Sequence, residues 1–223
     1  MATYSNQGPS TLPQGANRPL SEEIKELPRQ YLNVLTKPGV ATFAAETGKA
    51  NWRIVWVQLI GWGIISTILG FVAQAIFTSI SYRFAGYLSP AAIQALSANS
   101  ASYGGIIGVP LGFFIWMGLI YLLSKAFNGQ GTFLTQSYTS LLFQAPLGVL
   151  SALLGLVPYF GLLSTAVFIY GIVLQVFALM AVHHLSGGKA TLVVFLPAMI
   201  ITLLMNIFVV TFISVLVGVF FTH

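Results

Sequence analysis

From Thr47 to His223 the chain has no aspartate and no glutamate, and five long apolar runs fill most of that stretch. The runs pass the roughly 20 residues needed to cross hydrocarbon. Only 6% of all residues are charged and 57% are hydrophobic, whereas about a quarter of a soluble domain is charged. A water-soluble fold would be short of polar surface. The bilayer is therefore the expected solvent. Backbone groups in lipid must bond internally, and a closed barrel would need an alternating polarity that these runs lack. The expected fold class is all-α: an integral membrane bundle of five transmembrane helices, preceded by an N-terminal cytoplasmic segment with short interfacial helices.

Residues 1–20 are rich in Ser, Gln, Asn, Gly and Pro without apolar periodicity, which reads as a disordered tail. They lack the apolar core of a cleaved signal peptide, so the mature chain is expected to keep them. Residues 21–53 read as cytoplasmic or interfacial helices. Ser21 opens a helix with Glu22 and Glu23 in its first turn, where the helix dipole favours acids. Pro28 is expected to interrupt it, with a second short helix over 29–36 that lies in the membrane interface or packs under the bundle. Lys37-Pro38-Gly39 ends that piece, and a further short helix is expected over 40–46.

Residues 54–223 form the expected transmembrane domain, with spans at about 54–80, 104–124, 138–157, 162–182 and 192–221. Pro158-Tyr159-Phe160-Gly161 turns the third into the fourth. The fifth exceeds one bilayer at 1.5 Å per residue, so tilt, a kink near Pro197 or an interfacial start is expected. Between the first two spans, Ser89-Pro90 opens a capped short helix over 91–96.

Charge sets the expected sidedness. With the N-terminus in the cytoplasm, that side receives Arg18, Lys25, Arg29, Lys37, Lys49, Arg53, Lys125 and Lys189, and the other receives only Arg83. This follows the positive-inside rule. Trp52 and Trp56 then fall at the inner aromatic belt, and Tyr82, Tyr87, Tyr103 and Tyr159 at the outer one. The expected location is the cytoplasmic membrane of a bacterium, with the C-terminus outside. The net charge of +5 does not point to nucleic acid, because the cations sit at the ends of apolar runs and form no basic stripe.

Enzyme chemistry has little to work with. All four carboxylates, Glu22, Glu23, Glu26 and Glu46, precede the first span, and cysteine is absent. A serine nucleophile would have no triad, and no G-x-x-x-x-G-K-S/T, G-x-S-x-G or H-E-x-x-H occurs. The chain is expected not to be an enzyme. His183 and His184 precede the last span, and adjacent histidines do not face each other on a helix, so a protein-only metal site lacks ligands. They remain candidates for ligating a porphyrin-type pigment, against the plainer reading of interfacial histidines at a helix C-terminus. No other cofactor is expected, and any lipid or pigment would enter here.

Gly104, Gly108 and Gly112 repeat at four-residue spacing, with Gly105 beside them. Such a ridge lets a neighbouring helix approach closely, inside the bundle or from another protein. A bulky side chain at Gly108 is expected to push those helices apart. Ser66 and Gly70, Gly148 and Ala152, and Ser214 and Gly218 are weaker instances. Gln58, Gln144 and Gln175 fall in the cytoplasmic half of three spans and Asn206 near the middle of the fifth. Amides in hydrocarbon seek partners, which makes them interhelical glue or, alternatively, the lining of a substrate path.

The whole pattern resembles the Yip1 family. The likeness rests on an N-terminal segment, five spans, and Ala181-Val182-His183-His184-Leu185-Ser186-Gly187-Gly188-Lys189-Ala190, which is similar to the bacterial members' histidine, small-residue loop and Lys-Ala before the final helix. Residues 31–44 followed by Trp52 resemble their membrane-proximal region. The Asp-Leu-Tyr-Gly-Pro motif that eukaryotic relatives carry before the first span is absent. The resemblance implies a non-catalytic membrane protein that works through partners, a scaffold or accessory subunit among other membrane protein subunits. A small transporter or channel, and a pigment- or lipid-binding subunit, are the alternatives.

Overall fold

A computed structural model describes residues 19–83, 86–87, 89, 105–157 and 160–221. Among them the chain is all helical: α1 Leu20–Thr36, α2 Val40–Thr47, α3 Trp52–Arg83, α4 Gly105–Ala126, α5 Phe133–Gly155, α6 Gly161–His183 and α7 Gly187–Phe221. Among the described residues four helices are long and apolar enough to cross a membrane, Trp52–Ser81, Gly105–Ala126, Phe133–Gly155 and Leu162–His183, and Gly187–Ile200 of α7 is an apolar helix as well. Their outward faces carry large apolar side chains: Ile64, Ile68 and Phe71 on α3, Ile107, Leu111 and Leu122 on α4, Phe168 on α6, and Met199 and Leu203 on α7. An apolar surface of this extent needs lipid as its solvent. The protein is a multi-pass integral membrane protein.

α5 is the hub, packing against α6, α3, α4, α1 and α2. From Gln136 to Phe143 every one of its residues is buried, so its first half has no face to spare for lipid. Thr132 caps this helix, its hydroxyl accepting from the Thr135 amide at 3.1 Å. The start therefore lies five residues before the 138 expected from hydropathy. Thr135, Gln136, Ser137, Thr139 and Ser140 lower the apolar signal there, yet they are covered by neighbouring helices.

Two other boundaries differ from expectation. Pro28 does not divide the N-terminal helix, because α1 runs unbroken from Leu20 to Thr36. A proline forfeits one backbone bond and costs about 3 kcal/mol in a helix interior. The burial of Leu27, Gln30 and Val34 on one face offsets that loss. α7 begins at Gly187, five residues before 192, and leaves only His184, Leu185 and Ser186 as a connection. His184 closes α6 with a left-handed backbone, φ 54°, and the Ala190 amide bonds the Ser186 carbonyl at 2.9 Å. Burial of Ala190, Val193 and Val194 holds the two glycines in a helical first turn. Residues 1–18 of the expected disordered tail, the short helix at 91–96 and Gly104 lie outside the described residues, and Leu20, the last residue of that tail, begins α1.

α1 and α2 pack on the bundle. The Tyr31 hydroxyl donates to Gln58 Oε1 on α3 at 3.1 Å, and Tyr170 of α6 donates to the Leu35 carbonyl at 2.6 Å. Burial pushes the Tyr31 hydroxyl up to about 12, which keeps it a neutral donor. Phe43 of α2 is fully buried and meets Phe143 edge-on, with ring centroids 5.9 Å apart.

Candidate functional site

Several buried polar side chains around α5 bond a neighbouring helix, whereas Thr139 bonds its own helix and the Ser124 and Ser137 hydroxyls have no partner among the described residues. Gln144 donates to Gln175 Oε1 on α6 at 2.9 Å, and Gln175 Nε2 donates back to Ser140 Oγ at 3.2 Å. Two of the amides read from the sequence thus meet each other across α5 and α6. Gln58 is on a different pairing, accepting from Tyr31 and donating to its own Ile54 carbonyl at 3.3 Å. Asn206 is exposed and donates to Thr202 of its own helix at 2.7 Å.

A residue that hydropathy gave no reason to single out joins three helices. Gln136 Nε2 donates to the Met117 carbonyl of α4 at 2.9 Å, and its Oε1 lies 2.8 Å from His183 Nε2 on α6. Because the amide nitrogen is committed to Met117, the oxygen faces the imidazole, which makes Nε2 the protonated ring nitrogen. His183, the last residue of α6, is 1% exposed. Its other nitrogen, Nδ1, has no partner among the described residues.

The connection between α4 and α5 closes over that ring. Asn128 takes a left-handed backbone, φ 65°, and Gln130 N donates to the His183 carbonyl at 3.2 Å. A Cβ added at Gly129 would stand 2.8 Å from His183 Nδ1, and one at Gly131 would stand 2.6 Å from the Val182 carbonyl. Glycine is required at both positions by close approach. One nitrogen of His183 is thus bonded to Gln136 and the other lies under the Gly129 backbone, so the ring has no open side for a planar macrocycle. His184 is exposed. Among the described residues no three His, Asp or Glu side chains come together as a metal site requires.

The glycine ridge on α4 is placed differently from the expectation of packing within the bundle. A Cβ at Gly108 or Gly112 would meet nothing within 4 Å, so the described helices do not pack there. The close approach is one turn earlier and involves α3. A Cβ at Gly63 would stand 2.9 Å from the Gly105 carbonyl, and one at Gly105 would collide with the Thr67 hydroxyl. Gly148 is a second such position, where a Cβ would lie 2.5 Å from the Trp62 indole. Gly63 is flanked by Gly61 and Trp62, and only its partner across the bundle distinguishes it from Gly61.

A family model described as the Yip1 domain matches residues 32–209. No curated protein and no solved structure matches the chain. The matched region begins within α1 and ends within α7, so it takes in the whole polar cluster around α5.

Proposed function

The chain belongs to the Yip1 family, and from that premise we propose that it is a non-catalytic scaffold or accessory subunit of a larger membrane protein complex. The observation that carries this reading is the fate of the buried polar side chains. Gln136, Gln144, Gln175, Ser140 and His183 bond one another or backbone across helix interfaces. Selective transport draws on ionisable groups, carbonyl rings or a wet cavity in the membrane, and a chemical step needs a reactive group at a substrate site. Here Gln136, Gln144, Gln175 and His183 Nε2 are engaged in holding helices together, and the outward surface is apolar, open to lipid and to neighbouring subunits.

The same reading takes α7 as a fifth span, with the N-terminus in the cytoplasm, the C-terminus outside, and the bacterial cytoplasmic membrane as location. Its support is the charge distribution. Arg53, Lys125 and Lys189 sit near the start of α3, the end of α4 and the start of α7, which an antiparallel bundle brings to one end.

Purification of the tagged chain in mild detergent, with mass spectrometry of what stays attached, tests the proposal. A membrane protein retained in fixed stoichiometry, and recovered reciprocally when that protein carries the tag, is expected. A chain that purifies alone and drives solute uptake in liposomes would establish the transporter reading instead.

A further inference from the structure

α1 does not lie flat against one end of the bundle but climbs beside it. That end is fixed by Trp52 against Phe133, with ring centroids 6.2 Å apart, and by Gly131 against the Val182 carbonyl. The starts of α3 and α5 and the end of α6 therefore lie together. Glu23, near the start of α1, accepts from Asn51 at this end at 2.9 Å. Gln30 accepts from Tyr138, the sixth residue of α5, at 3.2 Å. The Leu35 carbonyl accepts from Tyr170, thirteen residues before the last residue of α6, at 2.6 Å. α2 then returns, with its Phe43 against Phe143, the eleventh residue of α5. The two helices form a hairpin whose turn, at Lys37-Pro38-Gly39, stands halfway along the bundle.

Helix length converts that position into a depth. α5 and α6 have 23 residues each, or about 35 Å at 1.5 Å per residue, and hydrocarbon is about 30 Å thick. Neither helix has length to spare, so Tyr170 and Phe143 lie close to the midplane of any bilayer that the two cross. The apolar cover of the bundle sets the level of hydrocarbon elsewhere. On α4 Ile115, Leu119 and Leu122 are exposed, and on α7 Leu192 and Phe195 are exposed soon after its start. Along these two helices an apolar surface continues almost to the end where α3 begins. The hairpin, which packs on α5, α6 and α3, offers another surface. Lys25, Arg29, Thr36 and Lys37 are exposed along it between Ile24 and Leu32, and Lys49 pairs with Glu46 on the return at 2.8 Å. Snorkelling moves a charge only by the length of its own stem, and Thr36 has no such stem. Charged groups held at this depth are accommodated by entering water and by local thinning of the bilayer.

We propose that the hairpin of α1 and α2 holds open a hydrated recess in the bilayer, reaching from the end where α3 begins to about the level of Tyr170. The membrane is then thin on the side of the hairpin and of full depth beside α4 and α7. Such a recess requires that α5 and α6 span the bilayer, and it is independent of any complex that the chain joins.

The chain has no cysteine, so single cysteines at exposed positions carry a nitroxide without background. Full-length variants are placed in phosphatidylcholine liposomes and followed by electron paramagnetic resonance. Collisions are measured with oxygen, which concentrates in hydrocarbon, and with a neutral nickel chelate, which stays in water. Ile115→Cys, eleven residues before the last residue of α4, reports on hydrocarbon at a depth close to that of Tyr170. Thr36→Cys is expected to meet the nickel chelate about tenfold more often than Ile115→Cys. Leu119→Cys lies nearer the bundle end and is expected to resemble Ile115→Cys. A Thr36 label that reads as hydrocarbon would overturn the proposal, because the hairpin would then sit in intact lipid. A Leu119 label that reads as water would overturn it too, because that whole end of the bundle would stand clear of the bilayer. Arg29→Leu with Lys37→Leu, made in the Thr36→Cys chain, is expected to lower nickel access severalfold, and unchanged access would overturn the part given to the two cations. Lys37→Cys is a second reporter at the turn with the same expected reading, should the Thr36 variant not fold.

Discussion

Replacing Gln136 by leucine removes a side chain that ties α4, α5 and α6 together. Leucine is close in volume, so the change is mainly one of hydrogen bonding. Two bonds are lost, to the Met117 carbonyl at 2.9 Å and to His183 Nε2 at 2.8 Å. Interhelical bonds in membrane proteins average about 0.6 kcal/mol and reach about 1.7. The greater cost comes from the group left behind. His183 is 1% exposed and its Nδ1 is already without a described partner, so the variant strands the whole imidazole, and a buried unsatisfied group costs about 1–3 kcal/mol. The expected loss is about 2–4 kcal/mol, read from unfolding in mixed micelles of increasing dodecyl sulfate fraction. Adding His183→Phe removes the stranded nitrogen, so the two changes together are expected to cost less than the sum of the singles, with a coupling of about 1 kcal/mol. Asn206→Leu is the control. Asn206 bonds only its own helix and is exposed, so that variant is expected within about 0.5 kcal/mol of wild type. A Gln136→Leu protein as stable as the Asn206→Leu protein, or a strictly additive cycle, would refute the assignment of this cluster as a structural tie.

Further outcomes follow from the same geometry. Gly63→Leu is expected to lower the melting temperature and the extractable yield well below those of Gly108→Leu, because its Cβ meets Gly105 backbone at 2.9 Å whereas Gly108 faces open space; equal damage would contradict the described packing of α3 on α4. Gln144→Leu with Gln175→Leu is expected to destabilise the bundle, measured as detergent melting, while liposomes of the wild type show no proton-driven uptake. Uptake that is lost in a stably folded double variant would mean the amides line a path. A reporter fused after His223 is expected to be active only on the non-cytoplasmic side, and cytoplasmic activity would remove the five-span reading.

Membrane residence and helical class were legible because they follow from composition summed over long windows. Apolar runs with no acid after Glu46 leave a chain no other solvent, and helices no other backbone solution. Boundaries were less legible wherever packing overrode local preference. Pro28 reads as a break because a proline forfeits a backbone bond. The helix continues because Leu27, Gln30 and Val34 are buried together on its inner face, a gain that depends on helices far along the chain. The two glycines at 187 and 188 read as a loop for the same reason, and buried Ala190 and Val193 hold them helical.

The candidate site divides along the same line. Gln144 and Gln175 stood out because an amide in an apolar run is costly unless paired, and the structure pairs them. Gln136 does not stand out, for the opposite reason: among Thr135, Ser137, Thr139 and Ser140 it looks like the watery approach to a span. Hydropathy scores each residue against an average environment, but the cost of a buried amide is set by whether a donor and an acceptor wait on particular neighbouring helices. At Gln136 both do, one offered by the Met117 carbonyl and one by His183. The glycines obey a similar logic. Gly108 and Gly112 have the spacing of a contact ridge, but spacing records only that a close approach is permitted. Whether a helix comes there depends on where α3 lies, and it comes to Gly105 through Gly63. The open ridge then presents small residues outward among Ile107, Leu111 and Ile115, all exposed. A single face of α4 thus keeps its capacity for close approach unused by the described helices, because the approach of α3 is taken up at Gly105.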